Sequence, residues 1–268
     1  MVDERVSICF NRQVAQGFYL LRLRAPQIAA AAAPGQFASL RVSDQTMPLL
    51  RLPLSFAAVD RAQGTFDLLY ETRGPKSRLL SQACDQQTMS CLGPLGKGFV
   101  APPAGERALL VGGGIGLPPL LFLGSELRRQ GHEEVVLLAG ARSAAKHLSA
   151  ATLALAAPQV RQATDDGSLG HPGLITDLLA EELAAVPHSI VYACGPHGMM
   201  AAVAGRCRTA AVPCQVSLEE YMACGFGVCV GCVVEAAAGG DAGPYGRYHR
   251  ICVDGPVFDA LQVRWEEG

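Results

Sequence analysis

Three cysteines crowd the run EEYMACGFGVCVGCVV, at Cys224, Cys229 and Cys232, and Cys252 follows in YHRICVDGPVF. Four residues separate the first two, two separate the next pair, and nineteen lie between Cys232 and Cys252. C-x4-C-x2-C followed by a distant cysteine is the plant-type spacing for a 2Fe-2S cluster. Two bridging sulfides leave each iron two protein sites, so four thiolates complete the shell. Gly225, Gly227 and Gly231 keep the loop free of bulk and let backbone N–H groups reach the cluster sulfurs. Zinc is the competing reading, but it favours two C-x2-C pairs and this segment has one. Of the other six cysteines, Cys9, Cys84, Cys91, Cys207 and Cys214 read as core residues, and Cys194 lies in a second constellation.

That constellation begins with LLVGGGIGLPP (109–119), a strand, a glycine turn and a helix start. Glycine lets a backbone approach a pyrophosphate, whose charge suits the N–H groups at a helix N-terminus. Pro118 and Pro119 suit the first helical turn, where a missing donor costs nothing. The run is not G-x-G-x-x-G, because Leu117 stands at the third glycine position. No acid closes the second strand either; GARS (140–143) follows it instead. A plain tight turn stays open as the alternative. YACGPHGMM (192–200) is a second strand–turn–helix, with Cys194, Gly195 and Pro196 at its elbow. Ligands bind at the carboxyl ends of parallel strands.

Three zones must position these groups. Residues 1–100 read as short strands punctuated by Gly and Pro, which predicts an antiparallel β-barrel. PKSRLLSQA (75–83) is expected to be a short helix inside it, while AAAAAP (29–34) could be helical turn or loop. Residues 101–212 alternate strand and helix, which predicts a parallel sheet with helices on both faces. SAAKHLSAATLALAAP (143–158) reads as one Ala-rich helix there. Residues 213–268 lose the alternation and hold the cysteine cluster.

A net charge of −2 gives no footprint for nucleic acid or an anionic membrane. The longest apolar run, ALLVGGGIGLPPLLFLGS (108–125), holds glycines and paired prolines that suit a strand–helix loop better than a membrane span. MVDERVSICF has no signal-peptide core, so a cytoplasmic location with reduced thiols is expected.

GPLGKGF (93–99), VGGGIGLPPL (111–120), TDDGSLGHPGLITDLL (164–179), YACGPHGMM, SLEEYMACGFGVCVGCVV (217–234) and CVDGPVF (252–258) together resemble the ferredoxin-reductase superfamily. Within it they are similar to the electron-transfer subunits of heteromeric dihydroorotate dehydrogenases. The resemblance spans almost the whole chain. It implies a flavin barrel, a nicotinamide-nucleotide domain and a cluster lobe. It also implies FAD, one 2Fe-2S cluster, NADH as donor, and a partner subunit whose FMN oxidises dihydroorotate to orotate, in a heterotetramer. On that resemblance Gly112, Gly113, Gly114 and Gly116 face the nucleotide pyrophosphate, and Cys194, Gly195 and Pro196 sit near the nicotinamide.

The implied flavin positions are Arg51, Pro53, Ser55, Leu69, Tyr70, Gly74 and Ser77. Three of the family's features are altered. Its Arg-Pro-x-Ser begins with Leu52, leaving Arg51 one place early, and a one-residue shift on a strand turns a side chain to the other face. Either a bulge re-aims Arg51 or another cation serves. Its Leu-Tyr-Arg ends in Glu71, a carboxylate expected to repel a pyrophosphate. Its Gly-x-Gly-Thr reads Gly74, Pro75, Lys76, Ser77, with Ser77 able to donate, and Arg73 and Lys76 could replace the missing arginines. Two rivals stand beside this reading. One is the reductase subunit of a ferredoxin, NAD(P)H or sulfide-type oxidoreductase, to which Arg142 would add a taste for a 2′-phosphate. The other is a flavin-less, zinc-binding scaffold subunit.

Overall fold

The computed structural model describes residues 1–186, 188–237 and 245–265. Six antiparallel strands close the first barrel: β1 (Val2–Ala15), β2 (Phe18–Arg24), β3 (Phe37–Arg41), β4 (Leu52–Asp60), β5 (Thr65–Glu71) and β6 (Thr88–Leu95), in the order β1-β2-β5-β4-β3-β6. Alternation along these strands buries Val6, Ile8, Leu21, Leu23, Phe66 and Leu68 inside. Two short helices plug its ends, α1 (Pro26–Ala31) and α2 (Pro75–Leu80), each with Pro in its first turn. The alanine run is thus helical only as far as Ala31. Asn11 ties α2 down, donating to Leu80 O at 2.8 Å and Ala83 O at 3.1 Å.

The second layer is a sheet built from β7 (Arg107–Gly113), β8 (Val135–Ala141), β9 (Gln159–Thr164), β10 (His171–Pro172), β11 (Ser189–Cys194) and β12 (Cys214–Ser217), all parallel. Its helices are α3 (Leu117–Arg129), α4 (Ala150–Ala154), α5 (Ile175–Ala185) and α6 (His197–Ala210). The strands are apolar on both faces, as parallel strands between helices must be. Leu109, Val111, Val136 and Leu138 pack with α5 and α6, while Ala108, Leu110, Val135 and Leu137 pack with α3 and α4. α3 also joins the two layers. Its Phe122 is buried in the barrel core, and its Glu126 pairs with Arg61 of the barrel at 3.0 Å.

The C-terminal segment forms the small antiparallel pair β13 (Val233–Glu235) and β14 (Tyr248–Arg250), then returns as β15 (Val257–Asp259). β15 pairs antiparallel with β12, so the sheet order is β10-β9-β8-β7-β11-β12-β15. Both β12 and β15 lie beyond residue 212, so the sheet takes two strands from the segment expected to form a separate lobe. The Ala-rich stretch 143–158 is not one helix. A 3-10 turn at Ala144–Lys146 is followed by α4 alone. His147 breaks the run, because its buried imidazole is drawn to Ala163 O at 3.0 Å, and Ser149 then caps α4.

Candidate functional site

The β13–β14 ladder brings the last two cysteines together. Val233 faces Arg250, so Cys232 just before one strand and Cys252 just after the other end side by side. Ile251 N–H donates to Cys232 O at 2.8 Å, extending the ladder one step. Both residues are buried, and their thiols are within hydrogen-bonding reach of each other. Burial, together with the Cys232 thiol, pushes the Cys252 thiol up to about 12, with Gly227 N–H opposing it and Cys224 also in its field. Arg250 braces the turn, pairing with Asp254 at 3.1 Å and donating to Gly227 O at 3.4 Å.

Cys224 and Cys229 sit on the facing loop, again within reach of each other. Burial pushes the Cys224 thiol up, but the N–H groups of Cys229, Phe226 and Val228 and the Cys229 thiol outweigh it and bring it down to about 6. Such N–H···S bonds stabilise thiolate and tune a cluster's potential. The loop geometry needs glycine at Gly227, where φ is +92° and an added Cβ would lie 3.1 Å from Val253. Among the described residues no three His, Cys, Asp or Glu side chains close on a single point. Two thiol pairs, two by two, suit two irons with two thiolates each better than one tetrahedral ion.

A cavity of about 600 Å³ lies where the barrel, the start of α3 and the segment after β12 meet. Pro53, Ser55, Leu69, Tyr70, Gly74 and Ser77 line it, and so do Arg73, Lys76 and Glu71. Its size and mostly apolar wall with a few charged groups fit a flavin nucleotide. Tyr70 presents its ring, stacked on Tyr19 at 5.6 Å, while its hydroxyl donates inward to Asn11 at 2.9 Å. Ser77 is consumed locally. Its hydroxyl donates to Gly74 O and accepts from Gly74 N–H, both at 3.1 Å, and so holds the start of α2.

The fold does not bring Arg51 to this cavity. Its guanidinium donates to Ser39 O at 3.3 Å, Ser90 O at 3.1 Å and Asp3 at 3.1 Å. No bulge re-aims it, and its bonds to Ser39 of β3 and Ser90 of β6 hold its side chain away from the wall that Leu52 and Pro53 form. Only its carbonyl helps, accepting from Lys76 Nζ at 2.8 Å. Glu71 does line the cavity, but not as a bare charge. Lys146 from the sheet layer pairs with it at 3.0 Å, and Arg73 pairs with its other oxygen. Burial pushes its carboxyl up, yet Lys146 and Arg73 outweigh burial and hold it below the usual range. The expected repulsion is therefore screened by a cation from the other layer.

The two nucleotide loops interlock. Gly112 and Cys194 pair across β7 and β11, and an added Cβ on Gly116 would lie 2.1 Å from Cys194 O. Gly113 meets the elbow too, its added Cβ falling 3.1 Å from Pro196. Gly114, at φ +54°, faces open space. Cys194 is fully enclosed, its thiol bonded with Ser217 and pushed well up by burial. It is a small neutral wall rather than a nucleophile.

Sequence reasoning missed Glu219. It lines the cavity, and its charge acts on Cys194. Protein surrounds it, although solvent still reaches it through the cavity mouth. Burial raises its carboxyl and Arg73 lowers it, with a net rise. No local signal distinguishes it from Glu220, which lines the same cavity; only its enclosure beside Cys194 does. A raised folded pKa means the native state holds this proton more tightly. That stabilisation is full below the unfolded carboxyl range and is lost as pH rises through the folded value. Glu219→Gln is therefore expected to flatten the fall in melting temperature of flavin-free protein above about pH 5. Parallel wild-type and variant melting curves from pH 4 to 8 would show the raised proton affinity to be absent.

A barrel fused to a parallel sheet, with interlocked glycine turns and a four-cysteine lobe, defines an NAD-linked iron–sulfur oxidoreductase of ferredoxin-reductase fold. Residues 110–205 match the family described as "Oxidoreductase NAD-binding domain", and residues 219–264 match "Iron-sulfur cluster binding domain of dihydroorotate dehydrogenase B". The chain is 39% identical to the dihydroorotate dehydrogenase B (NAD(+)) electron transfer subunit of Geobacillus thermodenitrificans, over 97% of this chain and 98% of that one. With the Listeria monocytogenes subunit of the same name it shares 36% identity, over 98% of this chain and 100% of that one. It belongs to the family of dihydroorotate dehydrogenase B electron transfer subunits. Among solved structures, a chain of an NADH-dependent reduced ferredoxin-NADP oxidoreductase, described in terms of flavin-based electron bifurcation, superposes with a TM-score of 0.84 at 27% identity. That match covers 97% of this chain and 90% of that one. A Neisseria gonorrhoeae ferredoxin NADP+ reductase with bound FAD and NADP shares the fold alone, with a TM-score of 0.64 at 16% identity over 78% of this chain and 91% of that one. No helix among the described residues is long and apolar enough to cross a membrane.

Proposed function

We propose that this chain carries electrons between NAD(H) and a partner subunit whose FMN interconverts dihydroorotate and orotate, in a heterotetramer. One observation carries the reading: the segment Leu218–Met222 walls the flavin-sized cavity and runs straight into Cys224. Residues 1–100 would hold FAD, 101–212 the dinucleotide and 213–268 the cluster, with β12 and β15 anchoring that last part to the sheet. FAD, when bound, would exchange a hydride with nicotinamide and single electrons with a 2Fe-2S cluster. Cys224, Cys229, Cys232 and Cys252 would ligate that cluster. Pro53, Ser55, Leu69, Tyr70 and Gly74 would seat the flavin, and the glycine turn with Cys194, Gly195 and Pro196 would position the nicotinamide nucleotide. Exposed Cys229, and Tyr221 at 96% exposure, mark the thin side of the wall, where the partner would dock. Thiolate ligands need a reducing compartment, which makes the cytoplasm part of this reading.

The test is co-purification with an FMN-binding dihydroorotate dehydrogenase subunit. Dihydroorotate-dependent NAD+ reduction should require both chains. If this subunit gives no gain over the partner alone, the reading is wrong. The likeness to the ferredoxin-NADP oxidoreductase chain favours one second reading, a ferredoxin-type acceptor, which the same preparation tests with reduced ferredoxin.

Arg73 and Lys76 are the cations among the residues that line the cavity, and Lys76 is partly desolvated, with its pKa lowered by burial. Charge-assisted bonds to phosphate are the strong ones. Arg73→Ala with Lys76→Ala should reduce the flavin that survives purification by about tenfold or more. Unchanged flavin absorbance per chain would reject their role.

A further inference from the structure

Lys146 belongs to the sheet layer and lies outside the lining of the flavin-sized cavity, yet its ammonium is committed to a residue of that lining. It ends the 3-10 turn that follows β8. Two contacts fix this turn to the sheet: Ser168 Oγ accepts Ala144 N–H at 2.8 Å, and the His147 imidazole reaches Ala163 O at 3.0 Å. A third fixes it to the barrel, where Gln16 N–H donates to Ala145 O at 3.0 Å. Gly17 O, next along the same β1–β2 turn, accepts from Thr72 N–H at 3.0 Å. Backbone bonds therefore hold the neighbours of both Lys146 and Glu71, and the two side chains meet at 3.0 Å over the buried Phe18 ring, which lies 5.4 Å from Nζ.

One carboxylate meets two cations at this corner, Glu71 against Lys146 and Arg73. Without Lys146, Glu71 would cancel Arg73, and the corner would offer a phosphate no net charge. With Lys146 in place it keeps one positive charge. Ion pairs this open to solvent add little to stability, so the pair matters chiefly through the charge that a bound anion meets. We infer that Lys146 is a positioning residue of the flavin site: it takes up the Glu71 carboxylate, so that Arg73 stays available to the flavin's phosphates. The flavin site is then completed across the two layers, by a residue that never touches the ligand.

This inference rests on the cavity seating a flavin. The experiment titrates the flavin-free full chain with FAD and with riboflavin, which has the same ring and no phosphate, and follows the change in flavin fluorescence. Lys146→Met keeps the apolar stem over Phe18 and removes the charge. It should weaken FAD by about tenfold or more and leave riboflavin within about twofold. Glu71→Gln should bind FAD at least as tightly as the wild type. Glu71→Gln with Lys146→Met returns the corner to one positive charge and should recover most of the loss. Wild-type protein that binds neither flavin would overturn the flavin-site reading and this inference with it. Equal FAD affinity in wild type and Lys146→Met, equal losses of FAD and riboflavin, or a double variant as weak as Lys146→Met would each overturn this inference alone.

Discussion

Cys252→Ala yields a protein that keeps its flavin and loses its iron. The substitution removes one thiolate from the buried Cys232–Cys252 pair, and the methyl group left in its place offers iron no ligand atom. Iron and acid-labile sulfide, expected at about two each per chain in the wild type, should fall to near zero. Transfer to the partner subunit should drop by about a hundredfold or more, whereas reduction of the bound flavin by NADH should persist. The flavin cavity and the glycine turn share no atom with Cys252. Cys207→Ser is the control. Cys207 of α6 and Cys214 of β12 form another buried thiol pair, hydrogen-bonded to each other and outside the four-cysteine set. Its iron content should match the wild type. Full iron in Cys252→Ala, or zinc in place of iron in the wild type, would end the cluster assignment.

Gly116→Ala should be the most damaging single change in the nucleotide domain. Its Cβ would meet Cys194 O at 2.1 Å and Cys194 C at 2.3 Å. Those are backbone atoms held in the β7–β11 ladder, so no side chain can rotate away. The glycine turn and the Cys-Gly-Pro elbow must move apart. Overpacking of a core costs about 1–3 kcal/mol, and a backbone clash belongs at or above the top of that range. At about 2–4 °C per kcal/mol the melting temperature should fall by roughly 6–12 °C. Flavin reduction by NADH should slow by about a hundredfold, since 1 Å of misplacement is enough for that. Gly114→Ala makes the contrast. There the added Cβ meets nothing, and only the left-handed φ of +54° is strained, about 1–2 kcal/mol. Thermal melts of the two variants, read beside stopped-flow reduction, separate steric interlock from backbone strain. Equal melting of Gly116→Ala and wild type would refute the interlock.

Glu71 shows why charge could not be read from position alone. Its neighbour in sequence, Arg73, was visible, but Lys146 arrives from another layer, 75 residues on. A carboxylate's effect on a bound phosphate depends on which cations fold against it. The same limit hid Glu219, whose distinction from its neighbour is its place beside Cys194. It also left the direction of Arg51 open between a bulge and the opposite face.

Local covalent spacing and periodicity were enough for the barrel, the alternating sheet, the glycine turns and the near trio Cys224, Cys229 and Cys232. Loops of two to four residues hold thiols together whatever surrounds them, and apolar periods report which faces are buried. Folding in three dimensions settled the rest. Cys252 reaches Cys232 only through the β13–β14 register, β12 and β15 join the sheet from beyond residue 212, and His147 interrupts an Ala-rich stretch that propensity alone would make helical. Each depends on partners distant along the chain, and side-chain direction and charge pairing are decided by those partners rather than by neighbours in sequence.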